Sequence, residues 1–178
     1  RYLEQSLGIM QEIGDRQGEG STLNNIGLIY DAKGDYDTAL RYLEQSLGIK
    51  QEIGDRQGEG TTLNNISQIY KARGDYDTAL RYLEQSLGIV QEIGDIAGLA
   101  ATLNNMGDIY LNQQNDIESA VKAFLQSYQI FQQIGSPNIQ YPESHLKNIM
   151  ERIGEARFKK IIGTEGMLML EQRGFVYP

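Results

Sequence analysis

Adjacent asparagines recur at Asn24/Asn25, Asn64/Asn65 and Asn104/Asn105, forty residues apart each time. A carboxamide offers a donor and an acceptor together, which suits the N–H and C=O groups of an extended peptide main chain. Asparagine is also a middling to poor helix former, so three such pairs within apolar-periodic segments call for a reason. Duplication inside the chain is one. Hydrogen bonds between neighbouring helices are another, and peptide contact is a third.

Groups able to do covalent chemistry are scarce. Catalysis needs convergent groups of the right kind, yet His145 is the only histidine and the chain has no cysteine. The repeat pattern brings no Ser or Asp partner to His145, so it reads as a surface or capping residue. The glycine-rich stretch Gly14-Asp15-Arg16-Gln17-Gly18-Glu19-Gly20 superficially suggests a phosphate loop. It lacks a preceding strand and the Lys-Ser/Thr of such a loop, and it returns at a junction between helices. Asp35 and Asp37 fall in the first turn of a helix, where the macrodipole favours carboxylates. No catalytic residue, metal site or cofactor is expected, and the chain reads as a non-enzyme.

The elements that carry the asparagines follow from an internal repeat. Residues 1–40 and 41–80 differ only at positions 10, 21, 27, 28, 31 and 33 of the first block. A third copy starts at Arg81 and keeps ATLNNMGDIY at Ala101–Tyr110. A period of this length means a stacked array. Leu23, Ile26, Ile29 and Tyr30 recur at three and four, one face of a helix. Gly34 ends that helix and Asp35 caps the next, which continues through Tyr36, Ala39, Leu40, Leu43, Leu47 and Ile49. Each unit is therefore a helical hairpin, roughly Asp15–Lys33 and Asp35–Ile53 in the first copy. Gly14-Asp15 punctuates successive units.

Along the chain, residues 1–14 read as the second helix of a truncated repeat. Residues 15–54, 55–94 and 95–135 are full units, and 136–163 is a degenerate capping repeat. An apolar tail spans 164–178, all within one continuous solenoid domain. The third unit carries an extra turn residue within Asn112–Asn115, and Glu155–Ile162 is a shorter closing helix. His145-Leu146-Lys147-Asn148-Ile149 fits the Thr-Leu-Asn-Asn-Ile register. At the start, Leu3, Leu7, Ile9 and Ile13 would face a neighbour, which implies truncation from a longer array and an end covered by another molecule. The tail, with Met167, Leu168, Met169, Leu170, Phe175, Val176 and Tyr177, reads as a seal on the last repeat or as a peptide mimic lying in a groove.

Composition narrows the partners. A content of 40% hydrophobic residues with only 3 Pro among 178 residues can sustain a continuous core. A net charge of −8 and a pI near 4.7 disfavour nucleic acid and anionic membranes, which call for basic patches. No apolar run approaches the ~18 residues of a membrane span, nothing resembles a signal peptide, and a cytoplasmic protein is expected.

Leu23, Ile26, Gly27, Tyr30, Ala39 and Leu43 fall on six signature positions of the tetratricopeptide repeat, and Gly34-Asp35-Tyr36 matches its inter-helix turn. The resemblance covers about residues 1–153. Ser46 departs from the usual Ala, and Gln51 from the usual Pro. The long first helix resembles the 40-residue variety of Pins-type G-protein-signalling modulators, and the TLNNI run is similar to kinesin light chain. The resemblance implies an all-α, α–α superhelix whose first helices line a concave groove. It implies that Asn25, Asn65 and Asn105, with Asn148 in the fourth register and Asn24, Asn64 and Asn104 beside them, hold a ligand's main chain. Leu28, Gln68, Asp108, Asp31 and Lys71, which change where the framework does not, would supply selectivity.

An acidic Glu-Glu-Val-Asp tail is a poor candidate ligand. The family's carboxylate clamp needs cations where Ser21, Thr61, Asn24, Asn64, Asn25, Asn65 and Asn105 stand. The expected function is a protein-binding scaffold for a peptide or helical segment, with self-association through the open N-terminal helix or the tail as a further route. The alternative is a regulatory or sensor segment of a larger signalling protein, an ATPase or a transcription regulator.

Overall fold

The computed structural model describes residues 2–113 and 116–171. Its elements are α1 (Tyr2–Ile13), α2 (Arg16–Ala32), α3 (Tyr36–Ile53), α4 (Arg56–Ala72), α5 (Tyr76–Ile93), α6 (Ile96–Gln113), α7 (Ile117–Gln133), a single 3-10 turn at Pro137–Ile139, α8 (Gln140–Ile153) and α9 (Glu155–Glu171). Among the described residues there is no strand, and consecutive helices form hairpins, as the periodicity requires. Backbone contacts divide the chain into two compact units, Arg1–Gly98 and Leu99–Pro178.

In the first unit the punctuation works as its chemistry dictates. The carboxylates of Asp15, Asp35, Asp55 and Asp75 accept from the N–H groups of Gly18, Thr38, Gly58 and Thr78, and each satisfies one donor the helix start leaves unpaired. Gly54 closes α3 at φ 71°, a left-handed conformation that a Cβ would strain.

Each hairpin closes over small residues. Leu43 is fully buried against Gly27, where a Cβ would stand 2.7 Å from Leu43 Cγ. Buried Ser46 donates its hydroxyl to the Gly20 carbonyl at 2.7 Å, and Ser86 repeats this to Gly60 at 2.9 Å. That contact explains a serine where alanine is usual, since the hydroxyl has a partner and carries no burial penalty. Gln51 is explained as well. Its amide donates to Glu59 Oε1 at 3.0 Å, as Gln11 does to Glu19. Arg16 and Arg56 complete these clusters, each pairing with the Glu three residues on at 2.5 Å and with Glu52 and Glu92 of the following second helix. The glycine-rich stretch is thus an inter-repeat junction. Between hairpins, Ala39, Leu40 and Leu43 pack on Ile66 and Ile69, flanked by Tyr30, Tyr36, Leu47, Tyr70 and Tyr82.

The second unit has its own core of Val121, Phe124, Tyr128, Leu146, Ile149, Met150, Phe158, Met167 and Leu170. Ser127 repeats the serine contact, donating to the Ala100 carbonyl at 2.8 Å. The closing helix runs from Glu155 to Ile162, as expected. Gly163 breaks it at φ 72° and ψ 177°, and helix resumes to Glu171, so the first part of the tail is helical. Met167 and Leu170 are buried there with Leu146 and Phe158, which favours a seal over a free peptide mimic. The remainder of the tail, Phe175, Val176 and Tyr177 included, lies outside the described residues, as do Gln114 and Asn115 of the third inter-helix turn.

Candidate protein-binding face

The sequence places its candidate contacts on the first helix of each hairpin: α2 and α4 in the first unit, α6 and α8 in the second. Successive residues on a helix point ~100° apart, so the two members of an Asn pair do different things. Asn24 Oδ1 accepts from Asn65 Nδ2 at 3.0 Å and from Thr62 Oγ1 at 3.4 Å, which joins α2 to α4. Asn64 Nδ2 donates to Ser86 Oγ at 2.9 Å, which joins α4 to α5. These amides bond to neighbouring helices.

Asn25, by contrast, is exposed, and Leu28 one turn on is exposed as well. Asn65 is half-buried, with its N–H committed to Asn24. Gln68, in the Leu28 register, is half-buried; its Nε2 is enclosed and donates to no described group. Asp31 and Lys71 share the next variable register and are half-buried. Burial pushes the Asp31 carboxyl above its ordinary range, because desolvation disfavours the charged form.

In the second unit, Asn104 and Asn105 are half-buried, and the Asn104 Oδ1 is enclosed without a described donor. Asn148 is exposed and lines a depression of about 360 Å³ with Gln140, Glu143, Ser144, Lys147 and Glu151. Lys147 Nζ pairs with Glu143 Oε1 at 2.6 Å, one turn apart on α8.

His145 has a carboxylate partner that the repeat pattern did not reveal. Its Nε2 lies 3.2 Å from Asp108 Oδ1, and its ring stacks on Phe124 at 4.4 Å between centroids. The pair joins α8 to α6 as Asn24 and Asn65 join α2 to α4. A signal for it was present. His145 stands in the register of Thr62, which meets Asn24, and its longer side chain reaches Asp108, one turn beyond Asn104. Asp108 therefore serves the packing as well as the variable face. Among the described residues no cluster of His, Asp and Glu could hold a metal ion, and no helix is long and apolar enough to cross a membrane.

A family model described as tetratricopeptide repeat matches residues 1–52 and 58–133. Among solved structures, BtubC (BKLC) from P. vanneervenii superposes with a TM-score of 0.76 at 19% identity, covering 99% of this chain and 73% of that one. A Podosopora anserina protein described as a kinesin light chain with nearly identical TPR-like repeats gives 0.66 at 16% identity, over 96% and 84%. Its Q17M form gives 0.64 at 19%, over 97% and 82%. At such identities the likeness is one of fold, the α–α superhelix of helical hairpins. No curated protein matches the sequence.

Proposed function

The chain belongs to the tetratricopeptide repeat family, and we propose that it holds a peptide or helical segment of a partner protein along its first helices. Repeats of this family mediate protein–protein interaction, and repeat arrays use the surface along their stacked helices for binding. The observation that carries the finer reading is Gln68. Its enclosed Nε2 donates to no described group, and a buried donor left unmade is costly, so turning this half-buried amide outward to a partner's carbonyl would relieve that cost. Asn25 and Leu28 supply an amide and an apolar contact in equivalent registers one repeat earlier. The framework around them is occupied: Asn24 accepts from Thr62 and Asn65, and Asn64 donates to Ser86.

In this reading Asn25, Asn65, Asn105 and Asn148 meet ligand main chain, while positions 28, 68, 108, 31 and 71 set selectivity. The scaffold is cytoplasmic and non-catalytic. Its net charge of −8 turns it away from nucleic acid and acidic lipid. Peptide display on the wild type beside Gln68→Leu tests this reading. Enriched sequences that bind the wild type and lose tenfold or more affinity for the variant support it. Equal binding to both refutes the Gln68 contact.

A further inference from the structure

Among the described residues, the cations of this acidic chain are engaged almost throughout. Arg16, Lys50, Arg56, Arg73, Lys122 and Lys147 pair with carboxylates. Lys33 and Arg41 lie over the Tyr30 and Tyr42 rings. Arg81 donates to Thr78, and Lys71 and Arg152 have partners too. Arg157, Lys159 and Lys160 depart from this pattern. All three stand exposed on α9, and no carboxylate among the described residues pairs with them. Arg157 and Lys160 are three residues apart, so they share a face of the helix, where like charges repel. Lys159 falls on another face.

Arg157 and Lys160 also line a cleft of about 470 Å³ whose residues come from α7 and α9 of the second unit. Ile117, buried in that unit's core, and Ile161, packed against the core, give the cleft its apolar lining. Glu118 carries the carboxylate of the lining, and Lys122 holds it at 2.7 Å. Two uncompensated cations and an apolar surface therefore meet in one place.

We propose that this cleft takes an acidic segment of a partner protein, with carboxylates on Arg157 and Lys160 and an apolar side chain against Ile117 and Ile161. Charge-assisted hydrogen bonds to carboxylates are among the strong ones, and they would relieve the repulsion between the two cations. The isoleucines ask for a ligand that a bare anion cannot imitate. An extended polyanion, whether nucleic acid or an acidic membrane, meets the field of a net charge of −8. A short acidic stretch with an apolar residue satisfies both demands. None of the variable first-helix positions takes part, so this site can fail while they still bind a partner.

A fluorescein-labelled peptide Glu-Leu-Glu-Glu-Leu-Glu, titrated into the full chain and read by anisotropy, tests the assignment. The expected result is saturable one-to-one binding that weakens with added salt. The Arg157→Ser/Lys160→Ser variant should bind about tenfold more weakly, in keeping with two exposed charge pairs lost. Both side chains are exposed, so its melting temperature should match the wild type. Lys159→Ser makes the same kind of charge change outside the cleft and should leave the affinity within about twofold. A peptide with Ser in place of both Leu should bind several-fold more weakly. Absence of saturable binding, or equal binding by the double variant, overturns the proposal. So does an equal loss in Lys159→Ser, which would reduce the effect to bulk charge. Equal affinity of the Ser peptide overturns it as well, because the cleft would then hold only an anion. Tighter binding of oligothymidylate or phosphatidylserine vesicles would assign the cations to a different class of partner.

Discussion

Asn24 Oδ1 accepts a 3.0 Å hydrogen bond from Asn65 Nδ2, so the asparagine pairs of the first two repeats are fastened to each other before any partner arrives. The first residue of one pair meets the second residue of the next. Asn25, its neighbour in sequence, is left in the open.

Asn24→Ala is therefore expected to destabilise the fold by about 1 kcal/mol, the low end for half-buried groups that lose a partner. Asn25→Ala should stay within about 0.5 kcal/mol of wild type, as surface changes do. Urea midpoints at constant slope distinguish the two. Equal losses would mean that both amides serve the stack.

Gly27 and Gly107 stand in the same register, yet they should respond differently to serine. A Cβ at Gly27 would meet Leu43, but the next repeat already holds Ser67 opposite Leu83. A Cβ at Gly107 would meet three ring carbons of Phe124 at 2.8 to 2.9 Å. Gly27→Ser should fall within about 1 kcal/mol of wild type, while Gly107→Ser loses roughly 1–3 kcal/mol through overpacking. Thermal melts of the two variants decide it, and a larger loss at Gly27 would contradict the packing described.

Leu170 is fully buried with Met167 against Phe158 and Leu146. Leu170→Ala should lose about 2–5 kcal/mol, the range for buried leucines. An unchanged melting temperature would show that this segment does not seal the second unit.

Stability should respond to pH through two aspartates of opposite sign. Burial raises the Asp31 pKa, so its contribution is present below the unfolded value and lost as pH rises through the folded one. Asp31→Asn should then raise the melting temperature at neutral pH, with a gain that vanishes in acid. Hydrogen bonds from the Ser119 side chain and backbone lower the Asp116 pKa, so its contribution is present above the unfolded value and lost as pH falls through the folded one. Asp116→Asn keeps a good cap and should flatten the acid limb of the melting curve. Melting temperatures from pH 3 to pH 8 check both signs.

The fold was legible because repetition announces itself: a forty-residue period, apolar positions at three and four, and Gly-Asp punctuation leave little besides stacked hairpins. The roles within each Asn pair were not. Asn24 and Asn25 are adjacent in sequence and point ~100° apart, and a half-degree-of-burial amide reads the same in sequence whether it faces a neighbour or a partner. The Ser46 and Gln51 departures were visible in the sequence, but their acceptors, the Gly20 carbonyl and the Glu59 carboxylate, were not. His145 looked solitary because its partner Asp108 lies 37 positions away, in the preceding first helix. The end of the closing helix at Ile162 was legible, but the helix that resumes after Gly163 was not, because one glycine can end a helix or merely redirect it.

The most direct test of the scaffold reading is retention of partners from the source lysate. Wild type would be compared with an Asn25→Ala/Gln68→Leu double variant, read by mass spectrometry. Gln68→Leu removes a donor without a described partner, so the double variant should melt at or above the wild-type temperature. The expected result is a partner held by the wild type and released by this equally stable variant. Equal retention by both would contradict the account and move binding away from the first helices.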